Sequence, residues 1–501
     1  MRRDAAPGDD RGADDGDGAS PVLREEIALL RERVRALERE RDGDGGCPAR
    51  DRPPRRQEIG DVPSIPPVRA LRPDQITRYS RQLLLADGFG VSGQKALLSA
   101  SILVVGAGGI GSTALLYLAA SGVGHVTVVD YDIVETSNLH RQVIHRDVDA
   151  SSSGGGGIAD RRGAVGTNKA ASARRAMLDL NPTLSCTALA IAICAENALE
   201  LVSKHDVVLD ASDNPRTRYL LNDACVLAGK PLVSGSAMGT EGQLTVYNHR
   251  PPPADAASGG GATGRRTACY RCLYPKPVAS EGCKSCSDNG VLGMVPGVVG
   301  ILQAVEVIKV ATGIGCVMHD RLMMYDSLNC SFMNVRKPPP RLNCAVCSPD
   351  ATIKNMSDSE RSLENVRGPS AACALLPAMG GILPTTAGRN VSCAEYNDVR
   401  KSGLPHVLLD VRVARQYEMC SLDGSVNLPL EQLESQLETV GLISGGELPI
   451  YCLCRRGIAS AEATRIIQKS IEDGNAVHSV YNIQGGLNSW VETVDSEFPR
   501  Y

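Results

Sequence analysis

The sequence predicts an α/β fold in two unequal parts, a large nucleotide-binding unit on an open sheet and a small α/β unit at the end. Three observations carry this. Residues 102–111 read Ile-Leu-Val-Val-Gly-Ala-Gly-Gly-Ile-Gly, a β-branched apolar run feeding a glycine-rich turn. Gly106, Gly108 and Gly111 match G-x-G-x-x-G: the first permits the tight turn, the second lets backbone N–H groups approach phosphate oxygens, and the third lets the next helix pack closely on the sheet. A second strand over 125–129 ends at Asp130, placed to reach a ribose hydroxyl. Finally, residues 392–501 again alternate strand and helix patterns and are long enough for a small domain of their own.

With 501 residues the chain exceeds the usual span of one core, so two or three domains plus tails are expected. A formal net charge of −4 supplies no broad basic field, which argues against direct binding to nucleic acid or to an anionic membrane. No run is expected to reach the ~18–20 apolar residues of a membrane span, and the N-terminal residues lack an apolar signal core. A cytoplasmic protein is the resulting expectation. Seventeen cysteines in a large chain without a leader point to metal or catalytic thiols more than to a disulfide framework.

In order, residues 1–20 are rich in Asp and Gly and read as a disordered tail. Over 21–41, Leu23, Ile27, Leu30, Val34 and Leu37 alternate four and three apart, an amphipathic or coiled-coil helix. Residues 42–70 read as linker, and 71–350 as the nucleotide-binding unit. Within it, a polar loop over 132–142 lies at the carboxyl edge of the sheet, where ligands bind in open α/β sheets. Ser/Gly-rich 151–157 and low-complexity 251–266 read as flexible insertions, 168–180 as a helix, and 206–209 as a strand delivering Asp210-Ala211-Ser212-Asp213-Asn214. A Gly-rich apolar helix is expected over 291–312 and an interdomain linker over 351–391.

The glycine turn and Asp130 alone also suit an NAD-dependent oxidoreductase. The surrounding charges favour a triphosphate: Arg81, Arg141, Lys169 and Arg218 stand at loop ends or helix starts, and Asp213 follows a strand where it can hold Mg²⁺. Cys269-x-x-Cys272 and Cys344-x-x-Cys347 form two thiolate pairs that suit a closed structural zinc site, four unlinked thiols being the alternative. Cys283 and Cys286 form a further C-x-x-C, open to a metal or redox role.

Arg78-Tyr79-Ser80-Arg81-Gln82, the glycine turn, Asp130-Tyr131-Asp132, Ser137-Asn138-Leu139-His140-Arg141-Gln142, Lys169 and Ser212-Asp213-Asn214 follow one another in an order that resembles the ubiquitin-activating-enzyme family, in particular its smaller members that adenylate ubiquitin-like sulfur carriers. The resemblance spans 72–347. It implies a Rossmann-like fold with a zinc site, in which a carrier's C-terminal glycine carboxylate attacks the α-phosphate of ATP. Carried over, Asp130 holds the ribose, and Gly109, Ser137, Asn138, Leu139, His140, Arg141 and Lys169 surround the nucleotide. Asp213 binds Mg²⁺ with Asn214 and Arg218 beside it, and Arg81 reaches a neighbouring subunit's site, which implies a homodimer. The resemblance places zinc on the four paired cysteines. It also makes Cys286, ahead of Gly290-Val291-Leu292-Gly293, the reactive thiol, and leaves Cys283 a bystander. The insertion at 151–157 lengthens the segment between Arg141 and Lys169 relative to that family.

In the last unit, Asp410-Val411-Arg412 closes one apolar strand, and a strand over 449–453 feeds Cys454-Arg455-Arg456-Gly457-Ile458-Ala459-Ser460 ahead of a helix. A cysteine in such a loop meets convergent backbone N–H groups and a positive helix end, which favour an anionic sulfur. Cys452 alternates within the strand and reads as structural. A C-x₅-R phosphatase loop is excluded because Ser460 stands where its arginine belongs. With Gly485-Gly486-Leu487-Asn488-Ser489-Trp490, the segment resembles a rhodanese domain, whose cysteine carries a persulfide. It departs from that pattern at Ser421-Leu422, where His-Ile is usual.

The fusion of these two units resembles the eukaryotic enzymes that serve molybdopterin synthase and tRNA wobble-uridine thiolation. That implies two steps, adenylation of carriers ending in Gly-Gly and then sulfur transfer to a thiocarboxylate. A cysteine desulfurase or another persulfide donor would load Cys454. A non-catalytic scaffold binding a ubiquitin-like protein is the non-enzymatic alternative, disfavoured by the intact Arg81, Arg141, Lys169 and Asp213.

Overall fold

The computed structural model describes residues 63–86, 88–147, 165–251, 266–277, 290–364, 366, 389–445, 447–472 and 479–500. The chain divides at Glu58, and all described residues belong to the second unit, Ile59–Tyr501. The heptad segment 21–41, the tail, the Ser/Gly tract at 151–157, Cys283 and Cys286 lie outside the described residues.

Two helices, α1 (Pro73–Leu83) and α2 (Gly90–Leu98), precede β1 (Ser101–Val105), whose five residues are all buried. Burial on both faces is what a parallel strand between two helical layers requires. There follow α3 (Gly109–Ser121), β2 (His125–Val129), α4 (Lys169–Leu180), β3 (Ser185–Leu189), α5 (Ala198–Ser203), β4 (Val207–Asp210), α6 (Pro215–Ala228), β5 (Leu232–Met238) and β6 (Glu241–Tyr247). After the short α7 (Tyr270–Leu273) come α8 (Met294–Thr312), β7 (Arg321–Asp326) and β8 (Ser331–Arg336). The sheet has eight strands in the order β3-β2-β1-β4-β5-β6-β7-β8, parallel from β3 to β5 and antiparallel beyond.

Each face of the sheet has its own core. On one face Leu97, Val104, Leu115, Met177, Val299 and Val307 bring α2, α3, α4 and α8 together. On the other, Leu103, Leu201, Val208, Tyr219 and Leu221 pack α5 and α6. Helices α3 and α8 touch backbone to backbone: a Cβ on Gly300 would stand 2.1 Å from the Ile110 carbonyl, and Thr113 Oγ1 donates to Gly297 O at 2.8 Å.

Two expectations need correction. Helix α8, with 19 residues and a mean hydropathy of 1.7, does reach the length and apolarity of a membrane span. It serves instead as a core helix, carrying buried Glu306, whose carboxylate accepts from Met318 N at 2.8 Å, and buried Gln303, which donates to Asp210 O at 2.8 Å. The second concerns 351–366, expected within a linker. These residues form α9 (Met356–Arg361) and bury Met356, Leu363 and Val366 against α6. Arg216, at the first turn of α6, pairs with Glu360 and donates to Leu363 O. The signal was missed because the contacts join residues more than 140 apart and leave no periodicity.

The last unit is a five-stranded parallel sheet in the order β11-β10-β12-β13-β9. Among its elements are β9 (Arg389–Val391), α10 (Cys393–Ser402), β10 (Val407–Asp410), α11 (Ala414–Met419), β11 (Ser425–Asn427), β12 (Ile450–Leu453), α12 (Ile458–Glu472), β13 (Val480–Ile483) and α13 (Gly486–Thr493). Separate clusters, one around Leu409, Ile450 and Ile467 and one around Tyr396, Leu453 and Trp490, cover its two faces.

A buried ion pair ties α6 to the first cysteine knuckle. Arg271, between Cys269 and Cys272, donates from Nη2 to Asp223 Oδ2 at 2.7 Å, and Ser359 Oγ donates to the same oxygen at 2.6 Å. Asp223→Ala would strand the Arg271 charge in the interior, at a cost of about 3–5 kcal/mol. A matching fall in unfolding free energy by denaturant titration is expected.

Candidate functional site

The turn after β1 is built by close approach. Gly106 has φ +100°, and a Cβ there would stand 2.6 Å from Ala211 O; one on Gly111 would stand 2.0 Å from Gly106 O. Only glycine fits at either place, so the turn hugs the β4 loop and aims the N-terminus of α3 into a cavity of about 330 Å³. That cavity is lined by Gly108, Gly109, Asp130, Arg141, Gln142, Lys169, Asp213, Asn214 and Arg218 among others.

Asp130 caps the turn. Its Oδ2 accepts from Ala107 N at 2.7 Å and Oδ1 from Asp132 N at 2.9 Å. Burial pushes its carboxyl up, against the opposing pull of Lys169. Lys169 Nζ reaches Asp132 Oδ2 at 2.9 Å, with its own side chain 8% exposed. Asn168 caps α4 by accepting from Ala171 N at 3.1 Å, and its Nδ2 donates to Asp130 O at 2.9 Å, so the helix start is fixed to the acidic loop. Arg141 Nη2 donates to Asn138 Oδ1 at 2.7 Å and Nη1 to Ser137 O at 3.2 Å.

The structure brings part of the set together. Gly109, Asp130, Arg141, Lys169, Asp213, Asn214 and Arg218 meet at the cavity, whereas Ser137, Asn138, Leu139 and His140 stand behind Arg141 and outside the lining. Arg81 is exposed on α1, also outside the lining. Arg218 is engaged by the protein: Nε donates to Asp210 Oδ2 at 2.9 Å and Nη2 to Gly235 O at 3.0 Å.

Two residues that sequence reasoning passed over prove central. Asp210, fully buried, accepts from Ser212 N and Oγ, Ser234 Oγ and Arg218, and so shapes the loop that presents Asp213. Its only sequence signal was an acidic residue closing an apolar strand. His145 bridges Ala107 O and Ser172 Oγ, both at 2.9 Å. A carbonyl can only accept, so Nε2 carries the proton and Nδ1 takes the hydroxyl.

The sulfur atoms of Cys269, Cys272, Cys344 and Cys347 lie within 4.8 Å of one another, the contacts Cys269–Cys272, Cys269–Cys344 and Cys272–Cys347 being 3.7, 3.6 and 3.4 Å. Zn–S bonds of about 2.3 Å at tetrahedral angles separate sulfurs by about 3.8 Å, so four buried or half-buried thiols in this array suit zinc. The ion would tie the segments on either side of α8 to one another and to Val226 of α6.

In the last unit Cys454 is 3% exposed in the loop between β12 and α12. Gly457 N donates to its Sγ at 3.1 Å, and Ser460 Oγ lies 3.2 Å away. Gly486 closes over the loop: a Cβ there would stand 2.1 Å from Cys454 O, which accepts from Leu487 N at 2.9 Å. Burial pushes the thiols of Cys452 and Cys393 up to about 12 and 11. Arg412 fastens the neighbouring β10 end to Asp410, Nη2 to Oδ2 at 2.5 Å, and donates to Cys420 O at 2.8 Å.

A glycine-turned nucleotide cavity beside a four-cysteine cluster, followed by a cysteine loop on a parallel sheet, defines an adenylating domain joined to a sulfurtransferase domain. Residues 79–346 match the ThiF family, and residues 392–493 match the rhodanese-like domain. The chain is 38% identical to mouse adenylyltransferase and sulfurtransferase MOCS3 over 454 residues, covering 88% of this chain and 90% of that one. It is 40% identical to the protein of that name from Anopheles gambiae, at 87% and 90% coverage, and 36% identical to that from Arabidopsis thaliana, at 86% of each. The chain belongs to the adenylyltransferase and sulfurtransferase MOCS3 family. Among solved structures, one of E. coli MccB with succinimide has a TM-score of 0.43 at 23% identity, covering 54% of this chain and 73% of that one.

Two predictions follow from the geometry. Metal analysis should find one zinc per chain, and Cys344→Ser should release it and lower the melting temperature. Burial pushes His125 and His145 down to about 4 from the ordinary 6.5. The unfolded chain therefore takes up protons first, and the stability these rings contribute is complete above pH 6.5 and lost as pH falls toward 4. Thermal melts across that window should show the decline, and His145→Gln should flatten part of it.

Proposed function

We propose that the chain activates the C-terminal glycine of ubiquitin-like sulfur carriers with ATP and then converts it to a thiocarboxylate, using two sites in one polypeptide. The observation that carries this reading is the joint presence of the cation-lined glycine-turn cavity and the Cys454 loop. The carriers would be the small subunit of molybdopterin synthase and the carrier of tRNA thiolation, with the enzyme acting in the cytoplasm as a homodimer and without direct contact to nucleic acid or membrane.

The carrier carboxylate attacks the α-phosphorus of ATP, the bond to the bridging oxygen breaks, and pyrophosphate leaves. Asp130 would hold the ribose and Arg141 and Lys169 the phosphates, while the N–H groups at the start of α3 face the charge that builds on the phosphoryl oxygens. Ser137, Asn138, Leu139 and His140 would support Arg141. Asp213, with Asn214 beside it, would hold Mg²⁺, whose charge would offset that of the departing pyrophosphate. Arg218 would form the wall of this site, and Arg81 would enter it from the second subunit. Zinc on the four cysteines would be structural.

Sulfur enters at Cys454 as a persulfide supplied by a cysteine desulfurase or another donor. Its outer sulfur attacks the acyl carbon and expels AMP, leaving an acyl disulfide. The Cys286 thiolate then attacks the Cys454 sulfur, which releases the thiocarboxylate and leaves a Cys286–Cys454 disulfide for a cellular thiol to reduce. In the other order, Cys286 first forms a thioester.

Carrier-dependent ATP–pyrophosphate exchange separates the two halves. Asp213→Ala should lower exchange at least 100-fold. Cys454→Ala should leave exchange unchanged and abolish thiocarboxylate, read by mass spectrometry of the carrier. Thiocarboxylate formed at the normal rate by Cys454→Ala would overturn the sulfur step.

A further inference from the structure

One residue of the 137–142 stretch has been given no task. Gln142 directly follows Arg141 and is 4% exposed. Its backbone is engaged, the N–H donating to Asn138 O and the carbonyl accepting from His145 N, both at 3.0 Å. Its side chain is not. Oε1 is buried without a partner, and the carboxamide makes no hydrogen bond to any described residue. That carboxamide lines the nucleotide cavity, with Nε2 3.8 Å from where a Cβ on Gly108 would stand.

A buried amide left unpaired costs stability, and native interiors avoid it unless something else completes the bond. Here the neighbouring walls indicate what that is. Gly108 precedes the first turn of α3, whose free N–H groups suit phosphate oxygens, and Arg141 and Lys169 stand on the same cavity. With no described residue holding either end, a half-turn about the last torsion brings either the N–H₂ or the carbonyl to face a ligand.

We propose that Gln142 is a nucleotide-binding residue, its N–H₂ donating to a phosphate oxygen of ATP at the Gly108 turn. This rests on the ATP reading above and deepens it. The choice of a neutral amide has a reason. The carboxylate to be activated must approach the α-phosphate, and a further full positive charge beside Arg141 and Lys169 would hold that carboxylate as an ion pair, whereas an amide orients phosphate without capturing it.

Gln142→Met keeps the length of the side chain and removes both polar ends. It should weaken binding of Mg-ATP, measured by calorimetry, about tenfold, the scale of one hydrogen bond to a charged group. The melting temperature of the ligand-free chain should stay level or rise, because a buried unpaired amide is gone, and the stabilisation given by saturating ATP should shrink. A purely structural role predicts the reverse, a lower melting temperature without ligand. Gln142→Glu, the same shape, places a carboxylate beside phosphate and should weaken binding more at pH 8 than at pH 5.5. Wild-type binding that Gln142→Met and Gln142→Glu both match would sink the assignment of Gln142 alone. Failure of the wild-type chain to bind ATP or to support carrier-dependent exchange would sink the nucleotide reading, and Gln142 with it.

Discussion

The feature on which both halves of the chain depend is an aspartate sealed at the carboxyl end of a central parallel strand and held by an arginine. Asp210 closes β4 and is gripped by Arg218; Asp410 closes β10 and is gripped by Arg412. Neither aspartate is exposed at all. An isolated carboxylate could not be kept charged there, so each pair must remain intact or the fold loses several kcal/mol. The gain is positional. Strand ends in open α/β sheets are where ligands sit, and a carboxylate that accepts from the next loop's N–H groups and hydroxyls fixes how that loop leaves the sheet. Asp210 takes Ser212 N at 3.1 Å and thereby turns Asp213 outward into the cavity. Asp410 takes Arg412 N at 3.0 Å, and Asn427 ties the same turn by donating to both Asp410 O and Arg412 O.

What the sequence disclosed follows the range of the forces involved. The glycine turn is legible because much of its constraint is local: Gly106 turns at φ +100°, and a Cβ on Gly111 would strike Gly106 O five residues back. The cysteine pairs are legible because paired thiols three apart have few uses in so large a chain. Lys169 and Asn168 are legible as a helix start, the cap being a residue type that accepts from the first turn. Contacts that close over long separations left no pattern. Arg216 meets Glu360 and Leu363 O more than 140 residues away, and His145 joins Ala107 O to Ser172 Oγ, partners that no spacing rule links. Helix α8 departs from expectation in another way: it reaches the length and apolarity of a membrane span although no run was expected to, while its contacts with α3 and with Asp210 O place it in a protein core.

The two loops are built from different groups. The glycine-turn cavity gathers Arg141, Lys169 and Arg218 with the start of α3, a set that suits an anionic ligand. The sulfur of Cys454 is met directly by one backbone N–H and one hydroxyl, Gly457 N at 3.1 Å and Ser460 Oγ at 3.2 Å. The glycines enforce the geometry: Gly457 and Gly486 have φ of +80° and +60°, and a side chain at either would strike the backbone that folds over the loop. The cation-lined cavity lies in the part of the chain that matches the ThiF family and the glycine-closed cysteine loop in the part that matches the rhodanese-like domain, so each half carries its own loop at the carboxyl end of a parallel sheet.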